Sequence, residues 1–173
     1  MWNRLKLLCP DSYQESLLKI ELGELQDKGI KGIIVDMDNT LVPYHQRSLD
    51  TPVLEWMKQA KIEGFKMCIV SNNLAAQGEE LARELDTPAI WSAVKPRSRS
   101  FRKALQIMEL APKEVAVIGD QVFTDILGGN RLGMYTILVV PLSQKEMIWT
   151  KAIRSMERKF LNLFERKGFL EKK

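Results

Sequence analysis

The sequence is poor in the residues that staple or metallate small proteins. Among 173 residues there are two cysteines and one histidine. Cys68 falls inside an apolar strand-like run. It and Cys9 therefore read as reduced thiols, not as a disulfide or a cysteine metal site. The single histidine, His45, lies in a polar loop and reads as solvent-exposed and not catalytic. There is no run of 18 apolar residues, so no membrane span is expected. The basic, apolar start from Met1 to Pro10 carries too short an apolar run for a secretory signal and no small-residue cleavage site. The expected location is the cytoplasm. Internal repeats, low-complexity tracts and linkers are also missing, which points to one domain over residues 1–173 with a core at about 30–142.

What is present is an ordinary globular composition, 45% hydrophobic and 28% charged. The net charge of +4 is unevenly placed. Residues 143–173 hold 9 Lys/Arg against 4 Asp/Glu, an excess of +5, while residues 1–142 come to −1. A local excess of this kind marks a segment suited to an anionic partner.

Short β-rich apolar runs occur at Gly32–Asp36, Met67–Ser71, Val115–Gly119 and Tyr135–Val140, with a shorter one at Ala89–Trp91. Helical patterns lie between them at Thr51–Glu63, Ala75–Leu85, Ser98–Glu109 and Phe123–Leu132. A helix over Ser12–Asp27 is expected before the first strand and another over Gln144–Phe164 at the end. Strand-helix alternation with continuously apolar strands predicts an α/β fold, a mostly parallel sheet with helices on both faces. Thr51-Pro52 marks a helix start, and Gly64 and Gly133 mark helix ends.

The polar residues gather where strands end, and that edge of an open parallel sheet is where ligands bind. The first long strand ends in Asp36-Met37-Asp38-Asn39-Thr40, the second in Ser71-Asn72, and Lys95-Pro96 follows the third. The fourth ends in Gly119-Asp120, with Thr124-Asp125 just beyond. Carboxylates crowded at one edge need a cation, and an all-oxygen set suits magnesium. A carboxylate nucleophile, a metal and a lysine together fit phosphoryl transfer. A calcium-loop reading of Asp36–Thr40 fails because Leu41 and Arg47 stand where that loop needs Gly and Glu. A signalling receiver reading fails because Ser71 and Asn72 occupy the place of its acceptor aspartate.

Taken in order, Asp-x-Asp-x-Thr, Ser-Asn, Lys-Pro and Gly-Asp-x-x-x-Thr-Asp resemble the four motifs of the haloacid dehalogenase (HAD) superfamily, between Gly32 and Val140. The resemblance implies a Rossmann-like fold, Asp36 as nucleophile and Asp38 as general acid and base. It implies that Ser71 holds the phosphoryl group and that Lys95 neutralises it. Mg2+ would be held by Asp36, Asp120 and the backbone carbonyl of Asp38, with Asp125 orienting the metal waters or Lys95. Thr40 and Asn72 would support the site, Asn72 either as an amide donor to the phosphoryl group or as a plain turn residue. The wording of the motifs, with Leu8-Cys-Pro-x-x-Tyr13 and Gly29-Ile-Lys-Gly32, resembles the small class IIIA phosphatases. That branch includes relatives that hydrolyse phosphatidylglycerophosphate.

Only Val42–Asp50 and one helix separate the first two motifs, so no large cap domain is expected. An open mouth accepts a phosphate carried on a large object, and a phospholipid head group at an anionic membrane surface is the favoured partner. No nucleic-acid partner is expected, and the oligomeric state stays open. The alternatives are a phosphatase of a soluble sugar or nucleotide phosphate, or a non-enzymatic adaptor. Arg97, Arg99, Arg102 and Lys103 follow Lys95 at a helix start, where cations are unfavourable. They are candidates for contact with an anionic substrate, or a solvated surface. Gly128-Gly129 inside a helical pattern implies close packing against the metal loop. The last helix carries Trp149, Ile153, Met156, Phe160, Leu163 and Phe164 on one stripe, with Lys151, Arg154 and Arg158 opposite. Such a helix can pack on its own sheet or lie on a membrane.

Overall fold

A computed structural model describes residues 5–43, 46, 48–74, 78–143 and 148–170, with the side chains of 148–152 excepted. His45 lies outside the described residues. Six parallel strands form one sheet: β1 (Ser12–Gln14), β2 (Gly32–Val35), β3 (Lys66–Val70), β4 (Ala89–Ile90), β5 (Val115–Gly119) and β6 (Tyr135–Val139). Their order across the sheet is β1-β6-β5-β2-β3-β4. The helices are α1 (Leu22–Asp27), α2 (Thr51–Ile62), α3 (Glu79–Glu84), α4 (Ser98–Met108), α5 (Leu127–Asn130) and α6 (Ile148–Arg166).

Every residue of β2 and β5 is buried, as continuous apolar runs require in a sheet covered on both faces. Alternate side chains serve opposite layers. Ile33 and Val35 pack with Val53, Met57 and Ala60 of α2 on one face. Ile34 packs with Phe101, Ala104 and Met108 of α4 on the other. A third cluster joins Leu161 and Phe164 of α6 to Val122, Ile126 and Leu138. The sheet thus has helices on both faces, and no large cap is present among the described residues. No helix among them is long and apolar enough to cross a membrane.

The expected helix over Ser12–Asp27 is wrong in its first half. Ser12–Gln14 is instead an edge strand on β6, with Ser12 opposite Ile137. Asp11 fixes that pairing: its carboxylate accepts from the Thr136 N–H at 2.8 Å and its own N–H donates to the Thr136 carbonyl at 2.9 Å. The buried Leu17, Ile20, Leu22 and Leu25 mimic helical spacing. They are spread over a 3₁₀ turn at Leu17–Lys19 and the six-residue α1. Long-range pairing here overrides a local pattern.

Other boundaries move less. The helix expected over Ala75–Leu85 is described from Glu79 to Glu84, and the one over Phe123–Leu132 opens with a π-helical turn at Val122–Ile126. Gly64 and Gly133 take φ of 90° and 74°, the left-handed helix ends expected of them. Gly128 and Gly129 are packing glycines. A Cβ on Gly128 would meet the Phe101 ring at 2.3 Å, and one on Gly129 would meet Thr136 at 2.7 Å. The contacts are with α4, β5 and β6, not with the metal loop expected from the sequence.

Candidate active site

The carboxyl ends of the two central strands, β2 and β5, lie side by side, and their register brings the acidic motifs together. Val35 pairs with Ile118, so Asp36 and Asp120 leave the sheet at neighbouring points. The Asp36 N–H still donates to the Ile118 carbonyl at 2.9 Å, which fixes the nucleophile candidate to the strand end. Asp36, Asp120 and Asp125 are all buried, and an oxygen from each lies within 4.8 Å of the others.

Lys95 is the counter-charge. Its Nζ donates to Asp36 Oδ1 at 2.5 Å and to Asp125 Oδ1 at 2.7 Å, with 3% of the side chain exposed. The loop that delivers it is tightly specified. Its N–H donates to Asn72 Oδ1 at 2.7 Å, the Ala93 N–H donates to the Ser71 carbonyl, and the Lys95–Pro96 peptide bond is cis. Val94 takes φ of 54°, an uncommon conformation for a β-branched residue, immediately before the lysine. Asn72 therefore spends its carbonyl on placing Lys95.

Ser71 sits at the end of β3, fully buried, and donates through Oγ to Asp38 Oδ2 at 3.2 Å. It also accepts from the Asn73 N–H at 3.0 Å. Thr40 is buried, and its Oγ1 has no hydrogen-bond partner among the described residues. Asp125 is oriented by the Lys95 ammonium, by the Gln121 N–H and by the Thr124 hydroxyl.

Burial raises the Asp36 carboxyl well above the usual range; Lys95 opposes this, and Asp125 and Asp120 add to it. Burial also raises Asp120, to about 6, against the opposing Arg154 charge. The Lys95 ammonium is disfavoured by burial, yet Asp125 and Asp36 outweigh that and hold it above its ordinary range. Asp38 is raised by burial, moderated by Ser71, as suits a carboxyl that gives and takes a proton. Lys95 and Arg154 set two positive charges against three buried acids, which leaves negative charge uncompensated within the cluster. Asp120 Oδ1 is buried with no hydrogen-bond partner among the described residues. An orphaned carboxylate oxygen among three converging acids fits a divalent cation held by oxygen ligands.

Of the arginine group, Arg97 and Arg99 line a groove of about 290 Å³ beside Val94, together with Lys103. Arg102 faces a different groove, with Gln106 and Leu110.

Sequence reading missed the contribution of α6. The inward line of that helix is the half-buried Arg154 and the buried Glu157, Leu161 and Phe164, rotated from the expected apolar stripe, while Ile153 and Met156 are exposed. Arg154 reaches the acid cluster: Nη1 donates to the Asp120 carbonyl at 3.0 Å and Nη2 to Asp120 Oδ2. Glu157 accepts from the Phe123 N–H at 3.0 Å. The signal was present: the register of Leu161 and Phe164, carried back at steps of four and three, passes through Glu157 and Arg154. The side chain of Trp149 lies outside the described residues.

Acids, a hydroxyl and one buried lysine at the carboxyl edge of a parallel sheet define a hydrolase site of the phosphoryl-transfer kind. A sequence model of the HAD-hydrolase-like family matches residues 93–141. The chain is 38% identical to the probable phosphatase YqeG of Bacillus subtilis over 166 residues, 96% of each chain. It is 26% identical to phosphatidylglycerophosphate phosphatase 1 of Arabidopsis thaliana, over 94% of this chain and 50% of that one. The cobalt-bound deoxy-D-mannose-octulosonate 8-phosphate phosphatase of Haemophilus influenzae superposes with a TM-score of 0.55 at 14% identity. That match covers 78% of this chain and 89% of the other. The chain belongs to the HAD superfamily and is a HAD-type phosphatase.

Proposed function

We propose that the chain is a Mg2+-dependent phosphatase of a glycerophospholipid head group, phosphatidylglycerophosphate, working as one unit from the cytoplasmic side of an anionic membrane. The observation that carries the choice of substrate is the mouth, over which no large cap lies among the described residues. Leu74, Val94 and Leu142 follow the carboxyl ends of β3, β4 and β6, and all three are exposed at the edge that holds Asp36. An apolar rim around an open phosphate site suits a head group presented at a lipid surface better than a small soluble metabolite. The name of the Arabidopsis relative supports the same reading.

In this reading Lys95 holds Asp36 Oδ1, so Oδ2 attacks phosphorus. The bond from phosphorus to the lipid oxygen breaks as the bond to Asp36 forms, and Asp38 gives its proton to the leaving oxygen. Asp38 then takes a proton from water as that water displaces Asp36 from phosphorus. Ser71 and Lys95 hold the transferring oxygens, and Arg97 and Arg99 meet further negative charge on the head group. Mg2+, held by Asp36, Asp120 and the Asp38 carbonyl, supplies positive charge that offsets repulsion between carboxylate and phosphate.

The test is a panel of phosphomonoesters, with phosphatidylglycerophosphate in mixed micelles beside sugar and nucleotide phosphates. The expected result is the highest kcat/KM on the lipid, lost in chelator and in a folded Asp36→Asn protein. A preference for a soluble sugar or nucleotide phosphate would overturn the substrate. Full turnover by Asp36→Asn would overturn the mechanism.

A further inference from the structure

We propose that Arg154 is a positioning residue of the metal site, which α6 delivers to Asp120 from outside the four motifs. The inference rests on the reading of the acid cluster as a divalent-cation site. Its guanidinium makes two bonds to one residue, to the Asp120 carbonyl and to Asp120 Oδ2. A two-pronged contact of this kind fixes both the backbone and the side-chain torsions of the aspartate, which a single point charge does not. The other carboxylate oxygen, Oδ1, is buried and has no hydrogen-bond partner among the described residues. One oxygen is held and one is left uncommitted, which is how a carboxylate is prepared for a cation by a partner behind it.

The arginine is itself held in place. One turn along α6, Glu157 accepts from the Phe123 N–H at 3.0 Å. Leu161 and Phe164 pack with Val122 and Ile126, in the turn that carries Asp125. Phe160 stacks edge-on against Phe123, with ring centroids 5.9 Å apart. The helix is thereby fastened along the loop from Asp120 to Ile126, and Arg154 is its inner end. The Arg154 side chain is 15% exposed, and that of Asp120 is fully covered.

A competing role has the opposite sign. A guanidinium that merely stands in for the cation would hinder its binding, and its removal would tighten the site. Calorimetric titration of the full-length protein with Mg2+ alone, without substrate, separates the two. Arg154→Gln is expected to weaken Mg2+ binding by about 10- to 100-fold. Arg154→Lys is expected to fall between it and the parent, because an ammonium restores the charge but not the fork. Arg154→Lys also carries the test if Arg154→Gln fails to fold. An affinity that is unchanged or tighter in a folded variant, whatever happens to its unfolding midpoint, overturns the proposal. A parent protein that takes up no Mg2+ and no Mn2+ overturns the reading of the acid cluster itself, and this inference with it.

Discussion

The carboxylate of Asp125 lies so close over Gly119 that a Cβ at position 119 would meet Asp125 Cγ at 2.3 Å. Gly119 ends β5, and Asp125 comes from the π-helical turn that follows. The close approach lets Asp125 reach Lys95 and still accept from the Gln121 N–H. Gly119→Ala is expected to push Asp125 off this position, costing about 1–3 kcal/mol in overpacking. It should also lower kcat, because Lys95 loses the partner that aims it. Denaturant midpoints and steady-state rates check both effects. Parent-like values of both would show that the approach has slack.

Lys95, to which the proposed mechanism gives a chemical part, is also expected to hold the fold. It is the buried counter-charge of Asp36 and Asp125. Its replacement by Met leaves two buried carboxylates with no cation between them, a loss of about 3–5 kcal/mol for a broken buried pair. The loss should shrink at low pH, where Asp36, whose carboxyl burial raises, takes up a proton and needs no partner. Added Mg2+ should restore part of the unfolding midpoint by supplying the missing positive charge. A Lys95→Met protein with the parent's midpoint at neutral pH, in chelator, would contradict this.

The fold was legible because its strongest signals are local. Continuous apolar strands at Gly32–Val35 and Val115–Gly119 can only be buried on both faces, and each ends in an acid. The motif residues Asp36, Ser71, Lys95 and Asp120 meet because parallel strands all place their carboxyl ends at one edge. What escaped the sequence depends on long-range pairing. Ser12–Gln14 becomes a strand only because β6 offers an edge and Asp11 bonds to Thr136. Arg154 looked like one of several cations on a basic face. Its role exists only once α6 is docked with Leu161 and Phe164 inward. The rotation of that helix was hidden because Arg154 and Glu157, both charged, lie on its inward line.

Glu157 gives the helix a pH dependence. Burial raises its carboxyl from 4.5 to about 7; the Phe123 and Val122 backbone and the Arg154 charge oppose the rise, and Asp120 adds to it. A raised acid favours the protonated folded state, so its contribution is full below pH 4.5 and is lost as pH rises through about 7. The rise corresponds to about 3 kcal/mol. Glu157→Gln keeps an acceptor for the Phe123 N–H and has no charge to bury. Its unfolding midpoint should therefore fall less than the parent's between pH 5 and 8, roughly the window of the shift. Parallel midpoint curves for the two proteins would show that Glu157 does not titrate with folding.

The choice of a lipid substrate carries its own prediction. Leu74 is 68% exposed, Val94 55% and Met156 51%, and Val94 lines the groove that holds Arg97, Arg99 and Lys103. Apolar side chains at the mouth of a polar site gain by leaving water for an acyl boundary. Basic residues near an anionic leaflet add roughly 1 kcal/mol each, screened by salt. The protein should therefore co-sediment with phosphatidylglycerol vesicles at low salt, less so at high salt, and not with phosphatidylcholine vesicles. Leu74→Asp with Met156→Asp should weaken this binding by removing apolar contact and adding repulsion. The same variant should keep its rate on a small soluble phosphomonoester, since neither side chain contacts the acid cluster in the reading given above. Reversing Arg97 and Arg99 to Glu should abolish the salt-sensitive part of the binding. If the parent ignores anionic vesicles at low salt while hydrolysing soluble phosphates fast, the exposed rim has another use and the lipid assignment fails.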